Sequence, residues 1–323
     1  MSSQKTTPHK TNPQKGFTLV ELMIALVIGL ILTAGILQLF VSNKQTYRVT
    51  ENVSRLQENG RFAMHFLTND IRMADFWGCR GQEITIDNNL NADANFDAFS
   101  TSLGGTNDSG INGSDTITLK GAFPNAFDTT SISKSPASFQ LADSTKLTGT
   151  SLILLSDCSD GDLIQMTNAA GTFTPSVAGG GVLGNVTTIL RSDYDGTDAK
   201  VYQLNFVTYS IQQGFNGQNA LFKSTNGDTP QELVEGIENM QILYGEDTDA
   251  DGAANYYKPA GSAGLNMDNV VAVRISLVAV TLENNVTQQA NTYNIFGGAT
   301  ITPTDNRIRR VFTSTIVIRN RLS

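Results

Sequence analysis

An acidic segment, DTDADG, is the part of this sequence whose residue types and spacing point most directly to metal chemistry. Its carboxylates fall at alternate positions, Asp247, Asp249 and Asp251, and the glycine that follows suits the sharp turn of a calcium loop. Asn255 would supply a further oxygen ligand. The twelfth position of the loop is Lys258, where an EF-hand has glutamate. Calcium is therefore a candidate cofactor, and an acidic hairpin tip is the alternative.

Groups that could carry out catalysis are sparse. After residue 16 the chain has a single histidine, His65, which we interpret as a packed or solvated residue of a helix. The sequence contains no HExxH, GxSxG, P-loop or dinucleotide-binding motif. We therefore predict a protein without enzymatic activity and without an organic cofactor.

One charge lies inside the most apolar stretch of the chain. From Phe17 to Val41 the only charged residue is Glu21. A helix of this length would span roughly 37 Å, enough to cross a hydrocarbon core of about 30 Å. A carboxylate there costs about 2.5–3.5 kcal/mol, so it needs a partner. Because no lysine or arginine lies nearby, that partner must be an amino terminus, a neighbouring subunit or interfacial water.

The order of residues at this junction is specific. A basic leader ends at Gly16, an aromatic residue and Thr-Leu-Val-Glu follow, and the apolar run begins. This pattern resembles the processing motif of type IV prepilins and type II secretion pseudopilins. The resemblance implies cleavage between Gly16 and Phe17 by a prepilin peptidase and methylation of the new amino terminus. It also implies that Glu21 pairs with the terminal amine of a neighbour during polymerisation. An ordinary signal anchor is the alternative.

Charge predicts the orientation and excludes one class of partner. The 323 residues carry a net charge of -8, and the leader contains three lysines and no acid. Basic residues before the span predict a cytoplasmic amino terminus and a body on the other side of the membrane. With the prepilin resemblance, this implies an inner-membrane helix and a periplasmic body. The acidic body argues against nucleic-acid binding. We interpret the basic residues near the C-terminus as solvated strand positions, with a small basic patch as the alternative: Arg307, Arg309, Arg310, Arg319 and Arg321.

The two cysteines, Cys79 and Cys158, lie in the exported part, and only one pairing within the chain exists. An oxidising compartment favours a disulfide between them. The closed loop of about 80 residues would stabilise the fold by roughly 4 kcal/mol. Two buried thiols are the alternative.

The spacing of apolar and small residues predicts that the helix continues beyond the membrane. They recur every three or four residues at Val49, Val53, Leu56, Gly60, Ala63, Leu67, Ile71 and Ala74. Polar residues occupy the other sides. A soluble helix of this length needs its apolar stripe covered. We therefore predict an α+β fold in which a long N-terminal helix, first transmembrane and then amphipathic, packs on a β-rich domain of two antiparallel sheets.

Alternating patterns and turn signals predict a succession of strands. The predicted strands are 83–87, 115–120, 151–156, 161–167, 185–190, 201–213, 221–224, 239–244, 270–281 and 308–320. The predicted domains are a cleaved leader (1–16), a transmembrane half-helix (17–41), an amphipathic half-helix (42–77) and a β-rich periplasmic domain (78–323). The glycine run 179–181 is a candidate sub-boundary between two β regions.

Internal segments extend the resemblance. The cysteine segments at 77–80 and 155–159 resemble those of PilW-type minor pilins, and 236–245 with 271–277 is similar to PilW and to J-type pseudopilins. The resemblance implies a minor pilin that helps initiate type IV pilus assembly at or near the fibre tip. Its partners would be other minor pilins, the major pilin and a tip adhesin. The alternatives are a J-type pseudopilin of type II secretion and a membrane-tethered calcium-binding adhesion module.

Overall fold

The computed structural model describes residues 16–78, 85–90, 102–147, 149–176, 184–191, 193–194 and 198–322. The chain divides into two compact units, residues 1–51 and 52–323. The described part of the first unit is helical from Leu19 onwards. The second unit holds the rest of the same helix and all of the β-structure.

The helix α1 spans Leu19–Met73, in agreement with the predicted long N-terminal helix. Its second half shows the predicted apolar stripe, because Leu56, Ala63, Leu67 and Ile71 are buried. The helix ends where the backbone takes left-handed conformations, at Asp75 (φ 60°) and then at Gly78 (φ 88°).

In the described residues, fourteen strands follow the helix, and they form the two predicted sheets. They are β1 Thr85–Asn88, β2 Leu103–Thr106, β3 Thr116–Lys134, β4 Ala137–Leu141, β5 Thr150–Ser156, β6 Asp160–Ala169, β7 Thr172–Pro175, β8 Lys200–Gln213, β9 Asn219–Thr225, β10 Gln231–Glu235, β11 Ile237–Glu246, β12 Tyr256–Lys258, β13 Val270–Val280 and β14 Arg309–Val317.

The larger sheet contains β1 to β10 and closes partly on itself. Its order is β10-β9-β8-β5-β6-β7-β4-β3-β2, with β1 beside β6, and β3 also pairs with β8. Strands β8, β5, β6, β7, β4 and β3 therefore form a ring. All six contribute side chains to one apolar cluster, in which the rings of Phe139 and Phe173 stack with centroids 4.7 Å apart. The ring therefore encloses a core of its own.

The smaller sheet has the order β12-β11-β13-β14 and is antiparallel. The chain passes from the larger sheet to the smaller one at Gly236, which has φ 71°. A Cβ atom there would lie 2.9 Å from the carbonyl oxygen of Val280. Glycine suits this position because it tolerates positive φ and close approach of another backbone.

The main core of the second unit lies between α1 and both sheets. The helix stripe packs with Ile117 of β3, Tyr209 of β8 and Ile275 of β13 in one continuous cluster. A further cluster on the outside of the ring includes Trp77, which packs where the helix meets the β-domain. The helix stripe is thus covered from Leu56 to Ala74.

Three details differ from the sequence-based expectation. Residues 185–190 form no strand, only an isolated bridge between Leu90 and Asn185, because the side chain and backbone of Asn185 bond to Gln165 and Ser176 instead. Strand β3 runs far beyond the predicted Lys120, and β1 pairs with β6 in parallel. The sequence analysis also missed β2, β4, β7, β10 and β12, most of which are short.

Candidate functional site

The residues around the predicted cleavage point form a well-defined helix start. Thr18 donates from its N–H and from its hydroxyl to Oε2 of Glu21, each at 3.0 Å, and the Glu21 N–H donates to Thr18 Oγ1 at 3.2 Å. This reciprocal pair is a capping box, in which an N-cap threonine and a glutamate three residues later satisfy each other's backbone donors. Gly16 and Phe17 precede the helix and are exposed.

The sequence analysis missed this role of Glu21, although its signal was present. The pattern Thr-x-x-Glu before an apolar run is a known helix-start signature. The cost of a carboxylate in the membrane had instead indicated that the partner of Glu21 lies outside the helix. In the structure a local donor set already surrounds one carboxylate oxygen.

The apolar half of α1 is exposed over its whole surface. Side chains from Leu19 to Val41 are exposed throughout the first unit. In the described part of the chain, α1 is the one helix long and apolar enough to cross a membrane, with a mean hydropathy of 2.6 over its most apolar 18 residues and none of that window buried. This surface therefore needs lipid or other subunits to cover it.

The second unit also leaves apolar helix residues uncovered. Phe62, Phe66 and Met73 are exposed on α1, at spacings of four and seven residues that place them along one side. His65 lies in the same region, exposed, with Nε2 3.0 Å from the amide nitrogen of Asn69. Nothing in these contacts suggests a catalytic role for the histidine.

The acidic loop brings its three predicted carboxylates together. One oxygen from each of Asp247, Asp249 and Asp251 lies within 4.8 Å of the others. Backbone N–H groups of Asp249, Ala250 and Gly252 donate to Asp247 at 2.7–3.1 Å. Burial raises the pKa of Asp247, but these N–H donors outweigh burial, so its pKa lies below the ordinary value.

The fourth predicted ligand, Asn255, makes hydrogen bonds within the loop instead. Oδ1 of Asn255 accepts hydrogen bonds from the N–H and hydroxyl of Thr248, at 2.6 and 3.0 Å, which occupy both of its lone pairs. Lys258 directs its ammonium to the ring of Tyr256, 4.5 Å from the centroid. The geometry thus unites the three aspartates and leaves Asn255 bound within the loop.

The predicted disulfide is only partly within the described residues. Cys158 lies in the turn between β5 and β6 with φ 74°, and its N–H donates to Ser156 Oγ at 3.1 Å. Cys79 lies outside the described residues, as does the glycine run 179–181. The pairing stays a prediction.

Two of the C-terminal arginines are buried, which corrects the interpretation of these residues as solvated strand positions. Arg321 bonds to Asp75 Oδ2 (2.6 Å), to Ser102 Oγ and to two backbone carbonyls. Asn320 donates to the carbonyl oxygens of Met73 and Ala74 and so caps the end of α1. Arg309 is also buried and paired with two carboxylates, whereas Arg310 is exposed.

Comparison with known proteins gives matches at both ends of the chain. Residues 11–37 match the prokaryotic N-terminal methylation motif. Residues 208–320, which include β9 to β14, match the family of type IV pilus-assembly protein W. Among solved structures, a type IV-like pilin from Thermus thermophilus is 14% identical, with a TM-score of 0.25 over 55% of this chain and 87% of that one. No curated protein sequence matches.

The methylation motif and the apolar helix fit the class of inner-membrane-anchored type IV pilin-like proteins. The second match shows that the C-terminal part of the chain, residues 208–320, is similar to the PilW family of type IV pilus assembly. The similarity implies contact with other pilus components, and the N-terminal motif is of the kind that a prepilin peptidase processes. The same similarity suggests a structural protein.

Proposed function

We propose that this chain is a minor pilin that takes part in initiating type IV pilus assembly and sits at or near the fibre tip. The observation that carries the proposal is the exposed apolar helix, which begins at a processing motif and continues into a PilW-type β-domain. The chain would enter the inner membrane with a cytoplasmic amino terminus and a periplasmic body. It would join the fibre after processing.

Cleavage after Gly16 would create an amino group at Phe17, next to the capping box. Thr18 occupies one oxygen of Glu21, and the other oxygen accepts no hydrogen bond from the described residues. That oxygen can pair with the cationic amine of a neighbouring subunit while the helix start stays capped. In hydrocarbon such a pair offsets the cost of the buried carboxylate.

Other contacts would come from the rest of the helix and from the β-domain. The exposed apolar residues of α1 suit packing in a bundle of helices from other minor pilins and the major pilin. Phe62, Phe66 and Met73 would extend that contact beyond the membrane. A tip adhesin would bind the β-domain surface. Nothing among the described residues calls for catalysis.

Three substitutions separate the capping role of Glu21 from its charge. Glu21→Gln keeps a capping box, because glutamine also occurs at that position, but removes the charge. Thr18→Ala removes the cap and keeps the charge, and Glu21→Ala removes both. Glu58→Ala, an exposed glutamate on the same helix, is the matched control. Surface pili and twitching would be measured in a deletion strain carrying each variant, together with the membrane level of the protein.

We expect Glu21→Gln and Glu21→Ala to insert normally and to abolish piliation, and Thr18→Ala and Glu58→Ala to restore pili. Normal pili with Glu21→Ala would refute the role of this carboxylate. If the deletion strain has normal pili but retains an exoprotein, the chain is a J-type pseudopilin instead. A deletion strain with normal pili and normal exoprotein secretion would contradict any role in assembly.

A second function, calcium binding, follows from the convergence of the three aspartates. Hard oxygen ligands at one point suit Ca²⁺, and the lysine at the twelfth position predicts weak affinity. Calcium titration of the full-length protein in detergent by calorimetry would test it. We expect the double variant Asp249→Asn with Asp251→Asn to lose the binding heat, and Asp193→Asn to retain it. Equal heats in all three proteins, or none in the wild type, would leave the loop as an acidic hairpin tip.

A further inference from the structure

A polar cavity of about 350 Å³ lies outside the sites described above. It is open to solvent on one side and is lined by the turn at Asn112, the first residues of β11 and the long connection between β13 and β14. Its volume falls in the range of sites for small ligands, which begins at about 300 Å³. The connection holds its shape through backbone hydrogen bonds between Tyr293 and Ile301, at 2.7 and 3.1 Å. The cavity therefore has defined walls.

Its floor is an ionic network of one buried arginine and two partly exposed carboxylates. The side chain of Arg309 is 3% exposed and binds Glu238 with two hydrogen bonds, at 2.6 and 2.8 Å. It also binds Asp305 with two more, at 2.6 and 2.9 Å. Such paired bonds fix both carboxylates in position. The floor is therefore rigid before any ligand arrives.

The charges around the cavity cancel. Arg309 faces two carboxylates, and the Nε atom of Arg307 lies 3.9 Å from Asp305 Oδ2. Arg307 does not line the cavity, but its ion pair balances the second carboxylate, so the network as a whole has two cations, two anions and no net charge. A free ion would therefore gain little from the site and would lose its hydration. The charge balance favours a neutral ligand.

Several polar groups at the cavity remain available to a ligand. The two carboxylates have more acceptor positions than their bonds to arginine and backbone use. The hydroxyls of Tyr293 and Thr304 make no hydrogen bond with any described residue. Burial, and then the charge of Glu238, raises the pKa of Tyr293, so its hydroxyl stays protonated and can donate. The site thus offers both strong acceptors and hydroxyl donors.

Part of the remaining wall is apolar. Ile295, Ile301 and Pro303 line the cavity beside the Tyr293 ring. A ligand that satisfies both kinds of wall must carry adjacent hydroxyl groups and also present C–H faces. A sugar ring has this combination, whereas a purely apolar ligand would leave the carboxylates and hydroxyls without partners, which is costly.

We propose that this cavity binds one neutral sugar ring of a glycan, with Glu238 and Asp305 accepting from its hydroxyls and Tyr293 packing against its C–H face. The proposal goes beyond assembly, because it concerns a surface of the β-domain that α1 does not supply. It gives this chain a direct part in recognising carbohydrate.

The test uses the full-length protein in dodecylphosphocholine micelles, since a detergent with a sugar headgroup would compete. Saturation-transfer NMR would be recorded with the methyl glycosides of glucose, galactose, mannose and N-acetylglucosamine. Two variants change the cavity: Tyr293→Ala removes one wall but keeps the backbone bridge, and Ile301→Trp fills the space from a residue that is 41% exposed. Tyr47→Ala, an exposed tyrosine of α1 in the first unit, is the matched control.

We expect transfer to at least one methyl glycoside, a reduction of at least about tenfold in affinity in both cavity variants, and no change in Tyr47→Ala. Equal transfer to all four sugars in the wild type and in every variant would overturn the proposal. The absence of transfer to all four sugars in the wild type would also overturn it. Tighter binding of a trisaccharide of the preferred sugar would indicate a glycan chain, and equal binding would indicate a single sugar as the natural ligand. Circular dichroism of each variant would confirm that it is folded.

Discussion

At the scale of single residues, Glu21 shows how one side chain can meet two demands. A membrane carboxylate needs a partner, and a helix start needs its N–H groups satisfied. The capping box with Thr18 answers the second demand within the chain. The capping box leaves the other carboxylate oxygen of Glu21 available to a partner in the membrane. The three variants proposed above separate these demands because one removes the charge, one removes the cap and one removes both.

Gly60 lies in the helix stripe at a position that has no room for a side chain. A Cβ atom at this position would lie 2.2–2.7 Å from three ring atoms of Phe312 in β14. Alanine improves helix propensity by about 0.5–1 kcal/mol, but overpacking costs about 1–3 kcal/mol. We therefore predict that Gly60→Ala lowers the thermal unfolding midpoint.

A second substitution tests this explanation. Phe312→Leu in the Gly60→Ala background should recover part of the loss, because the ring is what the new methyl group meets. Gly35→Ala, on the same helix with no atom within 4 Å of its Cβ, is the control and should not lower the midpoint. Equal midpoints for Gly60→Ala and wild type would show that the ring simply moves aside.

Asp305 makes stability depend on pH. The hydrogen bonds from Arg309 lower the pKa of Asp305 to about 2, below the value of about 3.9 in an unfolded chain. A depressed pKa contributes stability above the unfolded value, and the contribution is lost as the pH falls from about 4 towards 2. We predict that Asp305→Asn is less stable at pH 7 and that its unfolding free energy changes less over that window. Parallel curves for the two proteins in denaturant titrations would contradict this.

At the scale of elements, the C-terminal segment holds the end of the helix. Asn320 caps the carbonyl groups of the last turn, and Arg321 joins Asp75 to Ser102 and to the backbone before β13. These residues are far from the helix in sequence. The sequence analysis interpreted the arginines of this segment as solvated strand positions. It could not predict their burial, because that depends on the carboxylates and carbonyls that the fold brings to them.

Removing Arg321 should therefore be costly. Arg321→Ala leaves Asp75 without its cation and two carbonyls without their donor, and breaking such a buried pair costs about 3–5 kcal/mol. Arg310→Ala, an exposed arginine of β14, should change stability by less than about 0.5 kcal/mol. Urea unfolding of both variants would measure the difference, and similar losses would mean that burial of the pair contributes little.

Strands differ in how clearly the sequence reveals them. Strands β5, β6, β8, β11 and β13 were found nearly at their observed bounds, because long runs of β-branched and apolar residues mark them. Short strands such as β7 and β10 were missed, since four or five residues carry little periodicity. Residues 185–190 have strand-like composition, but the hydrogen bonds of Asn185 fix them as a connection.

At the scale of the whole molecule, the predicted disulfide is the covalent constraint with the largest expected effect. It would close a loop of about 80 residues, with a stabilisation near 4 kcal/mol. For a domain of this size we expect the Cys79→Ser and Cys158→Ser double variant to unfold about 10 °C lower. Wild type treated with a reducing agent should match it. An unchanged midpoint after reduction, with two free thiols measured, would show that the cysteines are unpaired.

The sequence alone determined the processing motif, the long helix with its apolar and amphipathic halves, the class of fold and the acidic loop. These features depend on local order, and residues within a few positions of each other carry their signal. The tertiary structure decided the ring of six strands, the burial of Arg309 and Arg321, and the polar cavity above Glu238. Each of these joins residues far apart in the chain, so its energy comes from contacts that no local pattern specifies.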